Sequence, residues 1–189
     1  MMAITDLALP KRDAQLRETR IMSPPLQLFA SLMQSPVGDL VIVASEQTLR
    51  AVLWGDEDKE WKRVAIDRLD VTWESSPVVE QTVVQLTEYF KGERQNFDLP
   101  LEPIGTEFQS MVWNSLTQIE YGSTLSYSKQ ALALGRESAV RAVASANGRN
   151  PISIVVPCHR VISASGGLGG FAGGLDAKRW LLNHEQDTH

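Results

Sequence analysis

Residues 106–148 read TEFQSMVWNSLTQIEYGSTLSYSKQALALGRESAVRAVASANG, and this stretch decides the architecture. It opens on Thr106-Glu107-Phe108-Gln109, a capping box in which a threonine hydroxyl and a glutamine amide satisfy the first orphan N–H groups of a helix. That helix carries Phe108, Val112, Leu116 and Ile119 on one stripe and is expected to run to Gly122. Ser126 is placed to cap a short helix, Tyr127–Leu134, which Gly135 stops. Ser138 is placed to cap another, Ala139–Ala146, stopped by Asn147-Gly148. Two short helices joined through a glycine-containing turn form a helix-turn-helix pattern. The second is built of small residues (Ala139, Ala142, Ala144, Ser145 and Ala146), with Arg141 as the long cation of its first turn. A helix without bulky side chains can approach a partner closely. Taken alone, the pattern serves core packing, and Arg141 reads as a surface arginine.

Working outward toward the C-terminus, an apolar run, Ile152–Val156, leads into Pro157-Cys158-His159-Arg160-Val161. A glycine-rich loop follows over Gly166–Gly174, then a last helix, Asp176–His184. Toward the N-terminus, Phe97–Ile104 with its two prolines reads as a connector. Pro77–Lys91 is an amphipathic helix with Val79, Val83, Leu86 and Phe90 on one face, and Asp56–Leu69 is a charged, surface-lying helix. Gln27–Met33, Asp39–Ala44 and Thr48–Trp54 are strands of an antiparallel meander, the first two joined by a type I turn at Ser35-Pro36-Val37-Gly38. The fold class is therefore α+β. A small N-terminal α/β domain with an antiparallel sheet, 23–104 with its connector, precedes a mostly helical, winged-helix-like domain, 105–189. Residues 1–22 read as a flexible tail.

The 189 residues suffice for a substantial core. No apolar run is long enough to span a membrane, and residues 1–20 have no apolar segment of the signal-peptide kind. A cytoplasmic monomer is expected. With one cysteine and three histidines, neither a disulfide framework nor a metal centre is expected, and no cofactor motif appears. The net charge is −5, but its distribution matters more than its sum. Residues 1–100 hold 11 basic and 16 acidic residues; residues 101–189 hold 7 of each. A face that contacts nucleic acid belongs to the second half.

A lone cysteine is most often a small buried hydrophobe. Cys158, however, ends an apolar run and directly precedes His159 and Arg160, a base and a positive charge of the kind that favours a thiolate. His159 needs a third group to orient it, and Glu185 is one candidate. The glycine-rich loop lacks the dinucleotide fingerprint and the Lys-Ser/Thr end of a phosphate loop, which leaves a flexible loop or one that lies against a flat ligand.

With these residues in view, the chain resembles the O6-alkylguanine-DNA alkyltransferases. The likeness is carried by Pro157-Cys158-His159-Arg160-Val161, by Asn150-Pro151, by Tyr127 and by Arg141-Ala142-Val143. Gly173-Gly174 and Trp180-Leu181-Leu182-Asn183-His184-Glu185 extend it. It is dense from Thr106 to Glu185, weaker over Leu32–Trp54, and does not reach residues 1–22. The resemblance implies alkylated DNA as partner and no cofactor. It implies that Cys158 accepts the alkyl group once and irreversibly from O6-alkylguanine, with O4-alkylthymine as a further candidate substrate. His159, Glu185, Tyr127 and the hinge residue Asn150 join Cys158 in the chemistry. Arg141, Ala139, Ala142 and Tyr127 meet the DNA, and Val161, Phe171, Ala172 and Gly173 form the pocket. Phe171 stands where the family commonly has tyrosine, Ala172 where it often has serine, and Ala144 and Ser145 where it usually has glycines. A lesion sensor without chemistry and a cysteine hydrolase are the competing readings. The first lacks the cysteine present here, and the second needs a Cys–His pair from separate elements.

Overall fold

The computed structural model describes residues 26–188, so the tail expected over 1–22 lies outside the described residues. Strands β1 (Leu28–Met33), β2 (Leu40–Ala44) and β3 (Leu49–Trp54) pair antiparallel in chain order, as the meander requires. The β1–β2 turn closes with the Gly38 N–H donating to the Ser35 carbonyl at 3.1 Å, Gly38 sitting at φ +106°. A fourth strand, β4 (Val71–Thr72), adds parallel to β1, giving the order β3-β2-β1-β4. Nothing in the sequence announces it, because two residues are too few for a period-2 signal.

Helices α1 (Asp58–Val64) and α2 (Pro77–Phe90) cover opposite faces of this sheet. Leu40, Ile42 and Ala44 pack with Val79 and Leu86 of α2, while Val41 and Val43 pack with Trp61 and Val64 of α1. A strand covered on both faces reads as a continuous apolar run, and β2 does. The expected helix over Asp56–Leu69 breaks after Val64: Ala65 adopts φ +56°, and a 3₁₀ turn, Arg68–Asp70, follows. Nor does α1 lie merely on the surface, since Glu60, Trp61 and Val64 are buried. Glu60 goes inside because it accepts from the Trp54 amide at 3.2 Å and pairs with Arg63 at 2.7 Å.

In the second half, α3 (Glu107–Leu116) starts at the capping box, with both reciprocal bonds formed. It ends before Gly122. The Ser115 and Thr117 hydroxyls bond back to the Val112 and Asn114 carbonyls, competition that loosens a last turn. Helix α4 (Tyr127–Ala133) is capped by Ser126. Helix α5 (Val140–Gly148) differs from expectation: a 3₁₀ turn, Glu137–Ala139, leads into it and Ser138 does not cap it. It runs on through Asn147 because that amide is buried and donates to Gln130 of α4 at 2.6 Å. Strands β5 (Leu125–Ser126) and β6 (Val161–Ile162) form a parallel pair, and α6 (Gly174–Asp187) extends past its expected limits at both ends. The α+β class holds, a small sheet unit followed by a mostly helical one.

The outer edge of β3 joins the two halves. Leu49 exchanges bonds with Pro100 and Glu102, and the Val52 N–H donates to the Pro151 carbonyl at 2.9 Å. The sheet edge is thereby satisfied, and the segment before Cys158 is docked on it.

Candidate active site

The apolar run Ile152–Val156 folds as a tight turn. The Asn150 side chain clamps it, donating to the Val156 carbonyl at 2.7 Å and accepting from the Ile152 N–H at 3.1 Å. Ile154 is held at φ +73°, a conformation that costs a β-branched residue on the order of 1–3 kcal/mol. The clamp and the Val156-to-Ile152 bond at 2.9 Å hold it there. Cys158 then opens a 3₁₀ turn, Cys158–Arg160, facing inward with 7% of its surface exposed. Burial pushes its thiol up, opposed by the Asn150 amide and the positive charges of Lys178 and Arg63. The resting group is a thiol.

Arg160 is not the charge that acts on Cys158. It donates Nε and Nη2 to Glu185 at 2.9 and 3.0 Å and Nη1 to the Ile119 carbonyl at 2.6 Å. Glu185 also accepts from the Tyr89 hydroxyl at 2.8 Å and the Gly122 N–H at 3.2 Å, and it meets His159 Nε2 at 2.8 Å. Burial works against a charged carboxylate, but hydrogen bonds from His159 and Arg160 and the Arg160 charge overcome it and hold Glu185 below the usual carboxylate range. Burial also lowers His159, against the pull of Glu185. The ring is therefore neutral, with Nε2–H on Glu185 and the lone pair on Nδ1. Nδ1 is buried and has no hydrogen-bond partner among the described residues.

Cys158 shares a small cavity with Tyr127, Asn150, Phe171 and Ala172, five expected site residues from four separate segments. The cavity measures about 10 Å³, room for one water. Burial pushes the Tyr127 phenol up, so it keeps its proton. The glycine-rich loop lies directly on that ring: a Cβ at Gly169 would come within 2.9 Å of the Tyr127 oxygen. Val161 is fully buried, and its carbonyl accepts from Lys178 Nζ at 2.7 Å. Lys178 also donates to the Leu168 carbonyl and is itself pushed down to about 8 by burial. Gly173 packs on Trp54. Arg141 and Ala142 are exposed on α5 and Ala139 is half-buried before it; these three are not brought to Cys158. Six residues of helix, roughly 9 Å of rise, separate Arg141 from Asn147 at the cavity.

Sequence reasoning missed Tyr89, Lys178, Trp54, Asn147 and Ser153. For Lys178 a signal exists: with Leu181 and Glu185 it falls at the i, i+3, i+7 spacing of one buried helical stripe, where a lysine must find partners. Asn147 reads as part of a helix stop and Ser153 as one polar position in an apolar run, and the others are tertiary neighbours with no local mark.

Residues 28–103 match the family model described as 6-O-methylguanine DNA methyltransferase, ribonuclease-like domain, and residues 107–187 match its DNA binding domain. A methylated-DNA–protein-cysteine methyltransferase from Methanosarcina barkeri is 40% identical over 85% of this chain and 99% of that relative. The constitutive one from Bacillus subtilis is 41% identical over 85% and 97%. The crystal structure of Mycobacterium tuberculosis O6-methylguanine methyltransferase superposes with a TM-score of 0.76 at 38% identity, over 86% of this chain and 95% of that one. A structure of M. tuberculosis OGT in complex with DNA gives 0.76 at 39%, over 85% and 94%. The chain belongs to the methylated-DNA–protein-cysteine methyltransferase family of DNA-repair enzymes.

Proposed function

We propose that this enzyme moves the alkyl group of O6-alkylguanine in DNA, and of O4-alkylthymine, onto Cys158 in one irreversible turnover. The observation that carries the reading is the buried thiol at the floor of a loop-covered cavity, beside a histidine with one nitrogen fixed on a carboxylate and the other free. The helix-turn-helix enters the minor groove as a monomer, the small face of α5 around Ala139 and Ala142 permitting close approach. Arg141 fills the gap left when the lesion rotates out of the stack. The base lies between Tyr127 and the loop Phe171-Ala172-Gly173, above Val161.

His159 Nδ1 takes the thiol proton through a water, and Glu185 stabilises the imidazolium. Cys158 Sγ attacks the alkyl carbon, the carbon–O6 bond breaks, and its electron pair stays on guanine. Tyr127 gives guanine a proton and regains one from the relay, so the proton lost by the thiol is the one guanine gains. Asn150 acts by holding the turn that presents Cys158. The thioether is stable, because a thiolate leaves an unactivated alkyl carbon poorly, so the thiol is not regenerated.

Intact-mass spectrometry after mixing with a duplex carrying O6-methylguanine tests this. One added methyl per chain on wild type, and none on Cys158→Ala with DNA affinity kept, is expected. A mass gain in the alanine variant, or turnover beyond one equivalent, excludes the reading.

A further inference from the structure

Trp54 ends β3 in the sheet unit, yet both walls of the Cys158 cavity rest on its indole. Its Nε1–H donates to Ser153 Oγ at 3.1 Å, and Ser153 lines the cavity. On the loop side, the Phe171 ring meets the indole edge to face, with centroids 5.1 Å apart. Gly173 is closer still: a Cβ there would fall within 2.4 Å of the indole. Trp54 is itself fixed from behind, its amide N–H on the buried Glu60 carboxylate at 3.2 Å. The loop's other ties are the Lys178 bond to the Leu168 carbonyl, the contact of Gly169 with the Tyr127 ring and the Gly174 N–H on the Phe171 carbonyl at 3.1 Å. Gly166, Gly167, Gly169 and Gly170 bring no side chains, and Phe171 is its aromatic anchor, with the Lys178 ammonium 5.9 Å from the ring.

We propose that Trp54 is a positioning residue for the transfer: its indole sets how far loop 169–174 closes over Cys158, and so which alkyl groups react well. This rests on the reading of Cys158 as alkyl acceptor. A cavity of about 10 Å³ admits no purine, so the loop must part from the Ser153 wall to let the base in and then settle against the indole. A methyl group extends little beyond O6, and its carbon meets Sγ only when the loop presses the base home. A bulkier adduct holds the loop further out. Loosening the indole contact therefore penalises methyl transfer and spares larger groups. An edge-to-face pair and one hydrogen bond are modest interactions, so the effect is graded.

The test compares wild type, Trp54→Leu, Trp54→Phe and Gly173→Ala in single-turnover transfer at saturating protein, from duplexes carrying O6-methylguanine or O6-benzylguanine. Trp54→Leu is expected to slow methyl transfer about 3- to 10-fold and benzyl transfer less, raising the benzyl-to-methyl ratio. Trp54→Phe keeps an aromatic edge and should restore most of the ratio. Gly173→Ala drives a Cβ into the indole without touching the sheet core, and should shift the ratio even if Trp54→Leu does not fold. Amide exchange adds a readout free of chemistry: residues 168–174 should exchange faster in Trp54→Leu and Gly173→Ala, while β1 and β2 keep wild-type protection. Equal slowing of both substrates, or an unchanged ratio in Gly173→Ala with unaltered loop exchange, overturns the proposal. A wild-type protein that gains no alkyl mass overturns the reading of Cys158 instead, and the exchange experiment still reports whether the indole holds the loop.

Discussion

Arg160 and Arg141 belong to the same helical unit and behave oppositely. Arg160 is 6% exposed and spends its guanidinium on Glu185 and the Ile119 carbonyl. Arg141 is exposed and forms no salt bridge among the described residues. Around Glu185 lies a closed network in which nearly every polar atom has a partner, His159 Nδ1 excepted; the outer face of α5 is open. The difference teaches that adjacency in sequence misassigns charge. Arg160 follows Cys158 by two positions yet serves Glu185, whereas Lys178 and Arg63, distant in sequence, are the cations that act on the thiol.

The largest expected effect breaks the closed side. His159→Ala and Glu185→Gln should each slow single-turnover transfer by roughly 10²- to 10⁴-fold, with the stoichiometry and the DNA affinity kept. Wild-type rates under conditions where chemistry limits would remove the network from the reaction and leave it a structural device.

Stability sharpens the same contrast. Arg160→Met strands the Glu185 charge and the Ile119 carbonyl inside the protein, which should cost about 3–5 kcal/mol. Arg141→Met should stay within about 0.5 kcal/mol. Urea midpoints of the two variants, with unchanged slopes, make the comparison. Adding Glu185→Gln to Arg160→Met should recover part of the loss, and strict additivity would deny that the two residues form a unit.

Local signals were legible and tertiary ones were not. The capping box at Thr106, the Ser126 cap and the glycine stop at Gly135 depend on neighbours within four residues, and all three stand where the sequence puts them. Cys158 and His159 declare themselves by residue type, and Glu185, one candidate orienter among the acids, sits 2.8 Å from the ring. The charged stretch at 56–69 misleads because Arg63, half-buried, neutralises Glu60 and lets it go inside. Ser138 misleads because the turn before α5 is 3₁₀, which leaves its hydroxyl no capping geometry. Trp54 and Tyr89 carry no mark at all: an indole ending a strand and a phenol on a helix face reveal their partners only after the halves dock.

Acid should dissolve the closed side in a defined order. Burial holds His159 below its ordinary value, so the unfolded chain binds that proton first. Its contribution to stability is present above about pH 6.5 and is lost as pH falls toward the folded value. Glu185 is also depressed, so its contribution is present above the unfolded carboxylate value and falls away on further acidification. Urea midpoints should therefore decline from pH 7 to pH 5 and decline again below pH 4.5. His159→Asn should flatten the upper step and leave the lower one. A wild-type profile that is level from pH 7 to pH 5 would mean that the buried imidazole takes up its proton without cost.

The smallest effect concerns the open side and is the most discriminating. If Arg141 substitutes for the flipped nucleotide, Arg141→Ala should impair transfer from duplex DNA more than from a single strand. Flipping from a duplex costs a few kcal/mol of stacking and pairing, and a filler side chain offsets part of it. A single strand has less stacking to lose. The expected separation is about 3- to 10-fold between matched substrates carrying O6-methylguanine, read as single-turnover rates at saturating protein. Arg149 and Lys129 are exposed controls on the same unit. Removing a phosphate contact at either should weaken both substrates alike and flatten the salt dependence by about one unit of slope. Losses for Arg141→Ala that match on duplex and single strand, with the same flattening, would make it one more phosphate contact. The small face of α5 would then serve approach to the groove alone, and the gap left by the lesion would have to be filled by another residue.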